Sequence, residues 1–392
     1  MNEVPRRSRR LDWDAATNEL AKVVEAGRSS GHPILDLTGS NPIRAGFPPC
    51  EEISKALATV DLSRLEPSPL GLPVARKAVA GYLQEGSVEE DPSRVVITAS
   101  TSEAYGLLFQ VLGDPGDNVV SHAPSYPLLD HLCALEGLEL RRCKSFTRDR
   151  RWQTPVDELV ELVDERTAAV VIVSPNNPTG ATIRSDGIQR MTAALIACRK
   201  PVTIIVDQVF ADYPLEAEDE RTHFHSSELP VVLLGGLSKT AALPQLKLAW
   251  MRLDGSGKTV EPIIRALEIA ADARLSVADP IQMAVGSILD SSGGVRSAIR
   301  ERCRRNLRKL RETFPLGGAV EIPIVDGGWS AVLRAPVESG RDRALDLANR
   351  GVFVHPGWLY DFPVGEWLVV SLLTPPVDFD EGMELIRDSI AL

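Results

Sequence analysis

Four polar groupings stand where apolar runs end. "TASTSEA" (98–104) closes the run "RVVIT" with hydroxyls and opens a helical pattern. "VVIVSPNNPTGA" (170–181) passes from an apolar stretch into two asparagines, a proline and a glycine. Asp207 closes "VTIIVD", and "GGLSKTAALPQLK" (235–247) carries Lys239 just beyond "PVVLLGG". The chemistry on offer is an amine, a carboxylate, a carboxamide and a cluster of hydroxyls. Hydroxyls and backbone N–H groups at a helix start also suit a phosphate. Each grouping has a plainer reading. Serine and threonine before a helix are common caps, Asn-Pro-Gly is turn chemistry, and a single lysine is most often a surface charge. Taken singly, none of the four decides.

The elements that must position them are readable. From about 94 to 253, short apolar runs alternate with helical patterns. Strands are expected at 94–98, 118–122, 138–142, 168–174, 202–207, 230–236 and 246–252. Several are rich in Val, Ile and Leu without alternation, as strands buried on both faces are. Helices fit between them at 102–113, 125–136, 155–164 and 184–199. This βαβ rhythm predicts an open, largely parallel seven-stranded sheet with helices on both sides. Ligands in such sheets bind outside the carboxyl ends of the strands, where all four groupings fall.

Residues 258–314 read as helical, broken near Pro280 and by "SSGG" at 291–294. The arginine-rich run "IRERCRRNLRKLRE" has apolar residues at helical spacing, so its charges form a solvated face. From about 318 to 392, short strands ("GWSAVLRA", "GVFVHPG", "WLVVSLL") mix with helices at 341–350 and 379–390, the pattern of a smaller α+β domain. The expected division is a large domain over 48–280 and a small one over 281–392, completed by the N-terminal segment 1–47.

Composition narrows the function. The 392 residues are 44% hydrophobic and 25% charged, with a formal net charge of −11. An acidic chain has no general attraction for nucleic acid or anionic lipid. The basic "RRSRR" at 6–10 is short, has no apolar signal core behind it, and reads as a solvated terminus. No stretch approaches a membrane span. The five cysteines are scattered, with no CxxC pair or histidine cluster. That argues against a structural metal or disulfide framework and for the cytoplasm.

Spacing joins the four groupings. Thirty residues separate Asn177 from Asp207, and 32 separate Asp207 from Lys239. In this order, SPNNPTG, the aspartate and SKT resemble the fold-type I pyridoxal-phosphate (PLP) enzymes of the aminotransferase class I/II family. The resemblance runs from "LDLTGSNP" (35–42), with Gly39 at the substrate entrance, to the final helix. It implies a Schiff base between Lys239 and PLP, with Lys239 then moving the substrate proton. It implies that Asp207 keeps the pyridine nitrogen protonated, which makes the ring an electron sink. Asn177 would donate to the phenolic oxygen and Tyr126 would stack on the ring. Thr101, Ser102 and Ser238 would hold the phosphate. Lys247, eight residues after Lys239, stands where the family carries a phosphate-binding arginine.

Four departures accompany the likeness. Phe210, in "DQVF", stands where the family often has a tyrosine. Gly236 replaces a common serine. Leu65 and Glu66, in "RLEPSPLG", stand in place of a tyrosine contributed to the partner's site. In "EWLVVSLL", Val369 occupies the place of the arginine that grips a substrate carboxylate. Arg44, in "NPIRAGF", and Arg274, in "DARLSV", are the two expected substitutes.

The leading expectation is an aminotransferase that moves an amino group from a small amine or amino acid to a carbonyl acceptor, in a homodimer. A lyase or decarboxylase on the same fold is an alternative, since these reactions differ in which substrate bond breaks. A non-catalytic effector-binding module is another. It would need a DNA-binding domain, and the 34 residues before "LDLTGSNP" are too few for a winged helix.

Overall fold

Runs of Val, Ile and Leu, buried on both faces, build the central sheet. The computed structural model describes residues 7–11, 19–29, 34–63, 67–84, 90–198, 202–216, 228–337, 342–362 and 365–390. Leu65 and Glu66 lie outside the described residues. The chain opens with helix α1 (Glu19–Ser29), strand β1 (Leu35–Asp36), and helices α2 (Glu51–Ala58) and α3 (Pro73–Leu83). Then come β2 (Val95–Thr98), α4 (Thr101–Leu112), β3 (Asn118–Ala123), α5 (Leu128–Glu136) and β4 (Glu139–Lys144). A small hairpin, β5 (Phe146–Arg148) and β6 (Arg151–Gln153), leads to α6 (Val156–Glu161) and β7 (Thr167–Val173). Next are α7 (Ser185–Ala197), β8 (Thr203–Asp207), β9 (Val231–Gly236), the single turn α8 (Leu237–Thr240) and β10 (Ala249–Asp254).

Seven of these strands form one sheet in the order β2-β10-β9-β8-β7-β3-β4. Strand β10 runs antiparallel to both neighbours, and the other pairs are parallel. Each expected strand is present. The expected strand at 246–252 begins at Ala249 instead, because Pro244–Leu246 form a 3-10 turn and Lys247 takes a left-handed conformation (φ 50°). The expected helix at 125–136 begins at Leu128, after the "SYP" lead-in. Every residue of β2, β3, β7 and β8 is buried, which is why their patterns are continuous rather than alternating.

The remainder supplies α9 (Gly257–Asp272), α10 (Asp279–Ser291), α11 (Gly293–Thr313), β11 (Ser330–Ala335), α12 (Arg343–Asn349), β12 (Val352–Phe353), β13 (His355–Pro356), β14 (Glu366–Ser371) and α13 (Pro376–Ile390). Strands β11, β14 and β13 form a three-stranded antiparallel sheet, and β1 pairs in parallel with β12. One core joins Leu20, Leu37 and Phe47 of the N-terminal segment to Ile299, Leu310, Val354, Leu372 and Phe379. Helix α10 belongs elsewhere. Its Ile281, Val285 and Ile288 pack with Ile53, Val79 and Trp250. The two apolar clusters part near Ser291, because the apolar face of α10 covers α2 and α3. Among the described residues, no helix is long and apolar enough to cross a membrane.

Candidate active site

The carboxyl edge of the large sheet gathers the polar groupings. At the end of β2, Ser100 caps α4: its side chain accepts from the Glu103 N–H at 3.0 Å. The Glu103 carboxylate accepts from the Ala99 N–H at 2.6 Å, tying the first turn back to the residue before the cap. The amides of Thr101 and Ser102 open the helix and have no intrahelical acceptor.

The asparagine pair divides its work. Asn176 is buried and builds the turn. Its side chain accepts from the Thr179 hydroxyl at 2.8 Å and the Thr179 N–H at 3.2 Å, and donates to the Pro124 carbonyl. Gly180 closes the turn at φ 71°, where an added Cβ would meet Val325 and the Gly327 carbonyl. This leaves Asn177 facing the cavity.

Asp207 ends β8 with a buried carboxylate. It accepts from the Val209 N–H at 3.2 Å and from the Tyr105 hydroxyl at 3.2 Å. Burial pushes its pKa up to about 6, against these two hydrogen bonds and the Lys239 charge. Lys239 sits on the turn after β9, and the loss of water around its ammonium brings its pKa down to about 8, against the pull of Asp207. The Lys239 carbonyl accepts from the Tyr213 hydroxyl at 2.6 Å, which pins the lysine backbone. The Lys239 Nζ lies 4.8 Å from the Trp329 ring centre and 5.5 Å from that of Phe210. Burial raises the Tyr126 phenol, with a hydrogen bond to Ser102 acting the other way.

One cavity of about 360 Å³ joins Thr101, Ser102, Tyr126, Asn177, Asp207, Ser238 and Lys239. Gly39 is at its rim: its carbonyl accepts from the Ser371 hydroxyl at 2.6 Å, and its neighbours Thr38 and Ser40 line the wall. Lys247, Arg44 and Arg274 are exposed and do not contribute to the lining. The Arg274 guanidinium instead lies beside Gly106 of α4 and Glu136.

The departures are visible in the same wall. Phe210 puts a ring without a hydroxyl where the family often has a tyrosine. Gly236 has a packing cause, because a Cβ there would lie 2.9 Å from that of Ala249. Val369 is buried in the wall, and among the described residues no arginine lines the cavity. Tyr105, Trp329, His355, Tyr360 and Ser371 were missed by sequence reasoning. Only "VFVHPG" held a signal, a histidine interrupting an apolar strand.

These residues fit PLP. A helix start with three nearby hydroxyls matches a phosphate. Within the protein, the buried Asp207 carboxylate has only a phenol, one amide and the Lys239 charge to offset its burial. A protonated ring nitrogen is the further partner this carboxylate suits.

Comparison with known proteins agrees. The chain is 31% identical to the glutamate-pyruvate aminotransferase AlaA of Haemophilus influenzae, over 68% of this chain and 65% of that one. It is 24% identical to human tyrosine aminotransferase, over 62% and 57% of the two chains. The chain thus spans about half to two thirds of the length of the curated relatives it matches. Its fold superposes on an alanine aminotransferase from Pyrococcus furiosus with a TM-score of 0.86 at 22% identity, covering 98% of this chain and all of the other. An aminotransferase from Escherichia coli gives 0.85 at 22% identity, covering 99% of each. The architecture is that of the fold-type I PLP-dependent transferases. Residues 37–374, from just after β1 to just past β14, match the family described as aminotransferase class I and II. The chain belongs to that PLP-dependent family.

Proposed function

We propose that this protein is a PLP-dependent aminotransferase, carrying an amino group from a small-molecule amino donor to a carbonyl acceptor. The convergence of Lys239, Asp207 and Asn177 on one cavity carries the reading. Thr101, Ser102 and Ser238 would hold the phosphate, Tyr126 and Asn177 the ring, and Asp207 its nitrogen. Bound PLP supplies the electron sink that lets a carbon beside the amine lose its proton. Lys239, with its pKa brought to about 8, holds roughly a tenth of its population as free amine at pH 7, far more than an ordinary lysine, and can take and return that proton. Lys247 is proposed to add charge near the phosphate from outside the wall. Arg44 and Arg274 remain substrate-binding proposals only through a rearrangement or a second subunit.

The homodimer is part of the proposal, supported by exposed apolar side chains around α2, α3 and α10, such as Leu62 and Leu275. A cytoplasmic setting is supported by five free cysteines. The test is borohydride reduction of the PLP-loaded protein followed by peptide mapping. The label is expected on Lys239, with at least a thousandfold loss of amino transfer in Lys239→Ala. Labelling elsewhere, or undiminished transfer in the variant, refutes the assignment. Release of ammonia in place of amino transfer would identify the lyase reading.

A further inference from the structure

The wall that faces the reacting lysine lacks a cation where a carboxylate would need one. Val369 is 3% exposed and sits between two strands of the small sheet. Its neighbour across the ladder on one side is Val332, which is apolar and buried. On the other side it is His355. Directly opposed residues in an antiparallel pair point to one face, so His355 and Val369 project together, and both line the cavity. The His355 Nδ1 lies 2.9 Å from the Tyr360 hydroxyl, and Tyr360 lines the same wall. Thr38, Ser40 and Ser371 add hydroxyls around it. Among the described residues, the only full charges in the lining are Lys239 and Asp207, both given cofactor roles in the proposed function.

We propose that the His355–Tyr360 pair is the substrate-reading element, and that it selects amino donors with an uncharged hydroxyl or amide beside the amine rather than a carboxylate. The inference rests on the aminotransferase reading. A count of protons supports it. A neutral imidazole and a phenol hold two N–H or O–H protons between them, and one joins the pair. One donor and an acceptor are left for the ligand. A hydroxyl or amide both donates and accepts, so it uses both. A carboxylate only accepts, brings a full charge, and would be buried against Val369 with one donor from the pair and neutral hydroxyls in place of a cation. Burial lowers the His355 pKa against the opposing charge of Asp36, which favours the neutral ring.

The test is calorimetric binding of L-leucine, L-leucinol and L-leucinamide to the PLP-loaded protein. The expected order has the alcohol or the amide at least tenfold tighter than the acid. That preference is expected to fall within threefold in Tyr360→Phe and in His355→Phe, which leave the cofactor residues untouched. Circular dichroism and PLP absorbance on the same samples show that each variant is folded and loaded. Equal or tighter binding of the acid, no measurable preference, or a preference that survives both substitutions overturns the proposal. Failure of borohydride to label Lys239 would instead refute the underlying reading, so the two failures are distinguishable.

Discussion

Asp207 and Lys239 cost the empty protein stability, and this can be measured. The Asp207 pKa is raised to about 6, so between about pH 4 and pH 6 the folded chain keeps a proton that the unfolded chain releases. Stability from this group is therefore present at the acid end and is lost as pH rises through that window, by about 3 kcal/mol. Lys239, lowered to about 8, acts above that range: there the unfolded chain holds the extra proton, and stability recovers as pH rises from about 8. Asp207→Asn removes the first effect. In the cofactor-free protein, its urea midpoint is expected to gain on that of the parent between pH 4 and pH 7, while PLP binding weakens. A stability difference that does not change with pH would show that Asp207 is not desolvated as described. Tyr105 acts on the same carboxylate from α4, at a distance of 3.2 Å.

At the scale of elements, the turn after β7 separates structure from chemistry in adjacent residues. Asn176→Ala removes the acceptor for Thr179 and the donor to Pro124, so a loss of about 1–3 kcal/mol in folding stability is expected. Asn177→Ala is expected to leave the melting temperature within about 1 °C and to weaken PLP binding and turnover. The reverse pattern in paired denaturation and PLP titrations would mean the two roles are exchanged. The sequence announced this turn because Asn, Pro and Gly have few other uses at a strand end. It announced the sheet because strands buried on both faces have continuous Val and Ile. It did not announce the reversed direction of β10, since an apolar run carries no arrow. Tyr105 was hidden because a tyrosine inside a helix reads as core. His355 and Tyr360 were hidden because their relation to Val369 is set by the pairing of β13 with β14, which local sequence does not encode. Lys247 lies outside the lining, where its own left-handed backbone ends the 3-10 turn.

For the whole molecule, the cavity draws on both cores, with Thr38 and Ser40 from the N-terminal segment, the strand ends of the large sheet, and β11, β13 and β14 from the small one. The end of the cavity proposed for the phosphate is tied to an exposed apolar point. Leu275 is 88% exposed and holds a left-handed backbone (φ 55°), an uncommon state for leucine. The next residue, Ser276, donates to Glu103 at 2.7 Å, and the other oxygen of Glu103 caps the start of α4. A second subunit that covers Leu275 would therefore bear, through Ser276 and Glu103, on the amides proposed to hold the phosphate. Leu316 serves as a control, since it is 79% exposed but follows α11, among the elements of the small core. In sedimentation experiments the parent is expected to be a dimer, Leu275→Asp to dissociate with at least a fivefold weaker affinity for PLP, and Leu316→Asp to match the parent. A parent that is monomeric with undiminished PLP affinity would remove the dimer from the proposal. Dissociation by Leu316→Asp but not by Leu275→Asp would move the interface to the other end of the molecule.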